Sequence, residues 1–207
     1  VWYITMKLII FDLDGVLVDA CEWHRVALNE ALKEVCNCEI TLEDHHKEFN
    51  GTPTRAKLQK LVEMGRIDSS DIDKVYKLKQ KKTVEVIEAQ ADKRPEKIKM
   101  LKWIRNKDIS VACFTNSIRE TTTLMLQKTG IIDLFDLITT NQDVKNAKPS
   151  PEGYLSTLKS FNVDPHEALI IEDSPKGMEA AIASGCNVVR VKNPDEVNIE
   201  LIRRHIL

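Results

Sequence analysis

Five short runs, Lys7–Asp12, Ile109–Thr115, Leu137–Thr140, Ala168–Glu172 and Asn187–Val191, are apolar and β-rich, and each is followed by a segment with helical periodicity. A chain that leaves a strand, forms a helix and returns as another strand pairs its strands in parallel, because the crossover brings it back pointing the same way. The expected fold is α/β, a helix-flanked parallel sheet whose ligands lie beyond the carboxyl ends of the strands. Residues that carry chemistry should therefore follow the runs. A length of 207 residues suits one large domain, or a core with a small insert.

The alternation is interrupted once. Between the first run and Pro95 the sequence holds helical patterns but no convincing strand, which reads as an inserted helical cap. Its first helix is expected to start with Asp19 and Glu22 in capping-box spacing and to run through Leu28, Ala31, Leu32 and Val35. A second starts at Thr52-Pro53 and a third covers Ser70 to Gln90. Linkers at Val16–Asp19 and Ala91–Arg94 divide the chain into a core of residues 1–16 and 95–207 and a cap of residues 17–94.

Composition narrows the function classes. Thirty Lys and Arg against 32 Asp and Glu leave a net charge of −2, and no contiguous basic block is present, so the attraction that dominates nucleic-acid binding is missing. Lysines 77, 79, 81 and 82 point in different directions around their helix and form no basic stripe. No apolar run approaches the ~18 residues of a membrane-spanning helix, so neither nucleic acid nor membrane is an expected partner, and no protein partner can be inferred. The opening Val1 to Thr5 lacks signal-peptide features, and Met6 reads as the initiator with residues 1–5 as an upstream extra. Five sparse cysteines suit reduced thiols in a cytoplasmic setting. Cys36, Cys38, His45 and His46 are compact enough to suggest zinc, but Cys-x-Cys is not the usual ligand spacing, and zinc is not expected.

Three strand ends, and one segment between a strand and a helix, carry reactive residue types. The first run ends in Asp12-Leu13-Asp14-Gly15, two carboxylates at i, i+2 that can converge on one side, with Asp19 close behind. Such a cluster needs a cation or a proton to relieve its repulsion, unless it is simply an acidic turn. The second run ends in Thr115-Asn116-Ser117, hydroxyls and an amide that could equally cap a helix. Lys148 precedes Pro149, with Ser150-Pro151 reading as a helix start; alone it would be a solvated lysine. The fourth run ends in Glu172-Asp173 before a proline-started helix, otherwise a surface acid pair.

Taken together and in order, these four segments resemble the motifs of the haloacid dehalogenase superfamily of phosphotransferases, from Lys7 to about Val191. The cap's position and length are similar to those of the subgroup that holds small-metabolite phosphatases and β-phosphoglucomutase. The resemblance implies a Rossmann-like parallel sheet core with an inserted α-helical cap. It implies Asp12 as nucleophile, Asp14 as general acid/base, and Thr115 and Lys148 as holders of the phosphoryl group. It further implies Mg2+ bound by Asp12, by the backbone carbonyl of Asp14 and by Asp173, with Glu172 in support. Asp14 must donate a proton near neutral pH, so its proton affinity is expected to be raised by substrate charge and by exclusion of water. No Gly-x-x-x-x-Gly-Lys loop is present, which argues against P-loop chemistry on ATP.

Along the third cap helix Lys79 falls within a stripe of Ile72, Val75, Tyr76, Thr83, Val86 and Ile87, so it either snorkels or reaches into the active-site cleft. Arg55 lies in a first helical turn, where the helix dipole disfavours a cation unless a substrate anion joins it. His24, Arg55 and Lys79 look similar to substrate-contacting cap residues of β-phosphoglucomutase, and Asn116 is a further candidate substrate contact. The expected activity is a Mg2+-dependent phosphatase acting on a small phosphorylated metabolite. A sugar-phosphate mutase is the alternative: Thr115-Asn116 resembles the phosphatases, while His24 and Lys79 lean toward the mutase. A non-catalytic phosphometabolite-binding protein is disfavoured by the presence of both Asp12 and Asp14, and dehalogenase or phosphonatase activity by the second aspartate.

Overall fold

The computed structural model describes residues 6–206; Val1 to Thr5, Leu207 and the side chain of His46 lie outside the described residues. Strands β1 (Leu8–Phe11), β2 (Ser110–Phe114), β3 (Leu137–Thr139), β4 (Ala168–Glu172) and β5 (Asn187–Arg190) form a parallel sheet in the order β3-β2-β1-β4-β5. Each lies inside the run that predicts it. The longer helices are α1 (Cys21–Cys36), α2 (Thr54–Glu63), α3 (Ile72–Gln90), α4 (Pro95–Arg105), α5 (Arg119–Thr129), α6 (Glu152–Phe161), α7 (Pro175–Ala183) and α8 (Ile199–Ile206).

Side chains along a strand alternate between faces, and here both faces are covered. Ile9 and Phe11 join Val111, Cys113, Leu169 and Ile171 beneath α4, α5 and α8, which contribute Leu101, Met125 and Ile202. Leu8 and Ile10 face the other way with Ala112, Phe114 and Ile170, against Tyr154 of α6 and Ala180 of α7. From the central β1 the sheet grows outward through β2 and β3, then resumes on the other side of β1 with β4 and β5. The reversal opens a crevice at the carboxyl ends of β1 and β4, where ligands bind in open α/β sheets.

The helical insert has its own apolar centre, including Leu28 and Leu32 of α1, Leu58 and Leu61 of α2, Val75 of α3 and Phe49. Asn29 ties it together, its amide donating to Ile40 O at 2.8 Å and accepting from Ile40 N at 2.9 Å. Leu17, Val18 and Ala20, and Ile87 and Ala91 at the far end of the insert, pack into the core cluster under the sheet. Both chain crossings thus seat the insert on the core. The capping box expected at Asp19 and Glu22 does not form: α1 begins at Cys21 after Ala20, which is already in the right-handed helical region with no side-chain cap. Asp19 is exposed and Glu22 instead bonds Arg25 one turn on. Among the described residues no helix is long and apolar enough to cross a membrane.

Candidate active site

Asp12 leaves β1 at the crevice and is buried. Its Oδ1 accepts from Lys148 Nζ at 2.7 Å, and the same ammonium donates to Glu172 Oε2 at 2.7 Å and to Phe114 O at 2.9 Å. All three protons of Lys148 are thereby used. Burial would lower the Lys148 pKa, but the Asp12 and Glu172 charges outweigh it and hold it well above the ordinary lysine value. Glu172, with no exposed surface, also accepts from Tyr154 Oη at 3.0 Å and from the backbone N–H groups of Asp173 (2.9 Å) and Ser174 (3.1 Å). Burial pushes its pKa up, yet Lys148 and these donors bring it below the usual carboxylate value.

One lysine does not balance this site. Carboxylate oxygens of Asp12, Glu172 and Asp173 can all lie within 4.8 Å of one another. Burial, then the Glu172 charge, raises the Asp12 pKa well above its usual value, and the same two causes push Asp173 up to about 8. Asp173 Oδ1 is buried with no hydrogen-bond partner. An orphaned carboxylate oxygen beside two more carboxylates is an oxygen-rich donor set that fits a hard divalent cation such as Mg2+. Gly15, at φ +86°, lets the turn after Asp14 pass close to Asp173: a Cβ there would collide with that carboxylate.

Asp14 occupies a different environment. Its Oδ1 accepts from His24 Nε2 at 3.0 Å, and its Oδ2 from Ser117 Oγ at 2.8 Å and Thr115 Oγ1 at 3.1 Å. Lys79 Nζ lies 3.1 Å from His24 Nδ1. With an ammonium as donor on one side and a carboxylate as acceptor on the other, the neutral Nε2–H tautomer of His24 satisfies both. Burial, then the Lys79 charge, lowers the His24 pKa; burial, then Lys57, lowers Lys79 to about 7. Burial would raise Asp14, but His24, by its hydrogen bond and by its charge whenever it is protonated, and the two hydroxyls outweigh it and hold Asp14 at about 2. In the substrate-free site three donors stabilise the charged form of Asp14, and the expected rise belongs to the substrate-bound site.

The remaining expected residues fall into place around one cavity of about 540 Å3 between insert and core, lined by Asp12, Asp14, His24, Arg55, Lys79, Thr115, Asn116, Lys148 and Asp173. Lys79 is 5% exposed, so it does not snorkel. Asn116 differs from expectation: its amide donates to Gly51 O (2.7 Å) and Lys148 O (3.2 Å) and accepts from Lys148 N (3.0 Å). Both ends of its side chain are occupied in joining the cap loop to the Lys148 loop. Arg55 is exposed at the cavity wall, 2.9 Å from Asp73 and stacked 4.3 Å over the Tyr76 ring, so cap residues neutralise it. Three further residues complete the site: Ser117, which the sequence offers only within a hydroxyl cluster or as a helix cap, and Lys57 and Tyr154, which it does not single out. Ser117 stands at the same i, i+2 spacing from Thr115 that pairs Asp12 with Asp14, and α5 starts only at Arg119, which frees its hydroxyl. Lys57 lies on the buried side of α2 with Leu58 and Leu61. Tyr154 reaches Glu172 from α6. Cys36 and Cys38 pack at the margin of the insert's apolar centre. Among the described residues the metal-competent cluster is the acidic one; the His46 side chain named with the cysteines lies outside them.

A family model of haloacid dehalogenase-like hydrolases matches residues 9–191. The chain belongs to that family. It is 30% identical over 182 residues to a phosphorylated carbohydrates phosphatase of Thermotoga maritima, covering 87% of this chain and 82% of that one. A phosphoglycolate phosphatase of Nitrosospira multiformis is 26% identical over 192 residues, with 89% and 82% covered. The fold matches the crystal structure of β-phosphoglucomutase from Clostridium difficile with a TM-score of 0.82 at 23% identity, over 96% of both chains. It matches that of CbbY from Rhodobacter sphaeroides with phosphate with a TM-score of 0.80 at 23% identity, over 89% and 85%.

Proposed function

We propose that this family member is a Mg2+-dependent phosphatase of a small phosphorylated metabolite, working through an aspartyl-phosphate on Asp12. The observation that carries the proposal is the division of labour between two aspartates lining one cavity. Asp12 is held by Lys148 beside an acidic cluster, whereas Asp14 sits among hydroxyls and His24. The two relatives, a phosphorylated carbohydrates phosphatase and a phosphoglycolate phosphatase, support the substrate class.

In this reading an Asp12 carboxylate oxygen forms a bond to phosphorus while the ester P–O bond breaks, and the leaving oxygen takes a proton from Asp14. Water then attacks the same phosphorus, Asp14 accepts its proton, and phosphate departs with Asp12 restored. Lys148 spreads the charge of the attacking group, Thr115 holds the phosphoryl oxygens, and Asn116 fixes the loop that carries Lys148. Asp12, the Asp14 carbonyl and Asp173, with Glu172 in support, would hold Mg2+, which would supply positive charge against a repulsion of order ~4 kcal/mol per charge pair at 4 Å and an effective dielectric of 20. Burial of Asp12, Lys148 and Glu172 strengthens each of these interactions.

The chain of hydrogen bonds from Lys79 through His24 to Asp14 favours a second reading, a sugar-phosphate mutase, because a tuned acid/base can serve a sugar hydroxyl as well as water. A panel of phosphorylated sugars, glycolate, glycerol and nucleotides, followed for both free phosphate and isomers, separates them. Phosphate without isomer supports the phosphatase; isomer with little phosphate moves the assignment to the mutase. Turnover of none of the panel, with or without Mg2+, overturns the catalytic reading.

A further inference from the structure

Two carboxylates compete for the Lys148 ammonium. It lies 2.7 Å from Asp12 Oδ1, where the phosphoryl group is to be received, and 2.7 Å from Glu172 Oε2, which takes no part in bond making. As the transfer proceeds, negative charge moves from the attacking Asp12 oxygen onto the phosphoryl oxygens. The ammonium can follow that charge only as far as its second anchor allows. Glu172 cannot move with it, because it has no exposed surface and its other oxygen, Oε1, is bonded to the backbone amides of Asp173 and Ser174.

Among the described residues one other donor reaches the Glu172 oxygen that Lys148 uses: Tyr154 Oη, 3.0 Å from Oε2. A carboxylate oxygen shared by two donors holds each of them less tightly than it would hold one alone, since both draw on the same negative charge. The Tyr154 hydroxyl thus loosens the grip of Glu172 on Lys148 and leaves more of the ammonium to Asp12. The ring of the same residue confines that ammonium: Lys148 Nζ lies 5.1 Å from the centroid of Tyr154 and 4.8 Å from that of Phe114, and the two rings meet edge to face at 4.9 Å. Tyr154 is fully buried and follows Lys148 by six residues, so the segment that delivers the lysine also delivers the tyrosine.

We propose that Tyr154 is a positioning residue for phosphoryl transfer, which by sharing Oε2 of Glu172 apportions the Lys148 ammonium between Glu172 and the phosphoryl group on Asp12. The assignment rests on the phosphatase reading for the role of Lys148. Its effect belongs to the transition state, where the phosphoryl oxygens compete hardest for the ammonium, and is small for bound substrate or product.

Tyr154→Phe tests this, because it keeps the ring and its packing and removes only the hydroxyl. With acetyl phosphate in saturating Mg2+, kcat is expected to fall ten-fold or more while KM stays within three-fold. Orthovanadate, whose vanadium takes the place of the phosphorus under attack, gives a readout without turnover. Its affinity by calorimetric titration in Mg2+ should fall ten-fold or more, and that of inorganic phosphate less than three-fold. Leu158→Ala, one turn further along α6 in the same apolar layer, is the structural control: it should lower the thermal midpoint at least as much as Tyr154→Phe and leave kcat within two-fold. Unchanged kcat and vanadate affinity in Tyr154→Phe overturn the assignment and make the hydroxyl a satisfied core donor. A loss that Leu158→Ala reproduces, or one that weakens vanadate and phosphate alike, also overturns it. A parent that binds vanadate but turns over no acetyl phosphate refutes the phosphatase reading alone, and the vanadate comparison then decides for Tyr154. A parent that does neither overturns both.

Discussion

Gly177→Ala is a substitution for which local propensity and packing predict opposite signs. Gly177 is the third residue of α7, its N–H bonded to Ser174 Oγ at 3.1 Å. Replacing glycine by alanine inside a helix ordinarily gains ~0.8–1 kcal/mol. Here the new Cβ would fall on the carboxylate of Glu172, far inside the roughly 3.5 Å optimum for nonbonded contact. Glu172 has no room to yield, because Lys148 (2.7 Å), Tyr154 (3.0 Å) and the amides of Asp173 (2.9 Å) and Ser174 (3.1 Å) hold it. Displacing it breaks a buried ion pair, which costs about 3–5 kcal/mol. The net expectation is a loss of roughly 2–4 kcal/mol, or about 4–16 °C in Tm for a chain of this size. Urea unfolding with a chelator present measures it, and a double-mutant cycle identifies the cause. In a Glu172→Ala background the methyl has space, so Gly177→Ala should become neutral or stabilising. A single variant as stable as the parent, or the same loss in both backgrounds, refutes the reasoning.

Asp12→Asn should abolish phosphate release while leaving thermal unfolding cooperative, since the amide keeps the shape and loses the attacking charge; retained steady-state turnover excludes Asp12 as nucleophile. Asp173→Ala should raise the Mg2+ concentration needed for half-maximal rate by ten-fold or more, with part of the rate restored at high Mg2+; an unchanged requirement removes Asp173 from the ligand set. Asp14→Asn should cost ~10²–10⁴ in rate for poor leaving groups and much less for phosphorylation of Asp12 by an activated ester; equal losses for both count against a proton-transfer role. Buried Lys97 donates to the carbonyls of Pro194 and Val197, and burial lowers its pKa to about 8. Between about pH 8 and the unfolded value of 10.5 the unfolded chain binds more protons than the native one. Stability attributable to Lys97 should therefore rise across that window, and a pH series of denaturation midpoints in which Lys97→Met has the same slope as the parent contradicts this.

The sheet was legible because its strands are short apolar runs buried on both faces, a pattern that survives without knowledge of their neighbours. Asp12 and Glu172 were legible for a related reason: a strand end in a parallel sheet is a defined place, and charged residues there contrast with the apolar run before them, whereas Lys148, in the loop after β3, was legible only through the family resemblance. What depended on distant partners was not legible. The Asp14 pKa is set by His24, Thr115 and Ser117, of which two lie about a hundred positions away in the chain. Asn116 offers the right chemistry for substrate, but Gly51 and Lys148 occupy it first. Arg55 is neutralised by Asp73, 18 residues on. The start of α1 was misread because Ala20 enters the helix directly from a buried turn and leaves no place for a side-chain cap.

The resting state of Asp14 constrains the order in which the proposed chemistry runs. A carboxyl group held at about 2 carries no proton near neutral pH, so the substrate-free enzyme is not yet a general acid. Thr115, one of the donors that hold it there, is also assigned to the phosphoryl group. When that hydroxyl turns to the substrate, Asp14 loses a donor and gains a dianion as neighbour, and both changes raise its proton affinity. Protons are close at hand: His24 Nε2 is 3.0 Å from Asp14, and Lys79, with a pKa of about 7, is 3.1 Å from the other ring nitrogen. His24 and Lys79 belong to helices of the insert and Asp14 to the core, so the line of proton carriers is complete only where the two meet. The same contact encloses the cavity. Proton supply therefore depends on the contact of cap with core, and the proposed acid is armed by the substrate rather than by the fold alone.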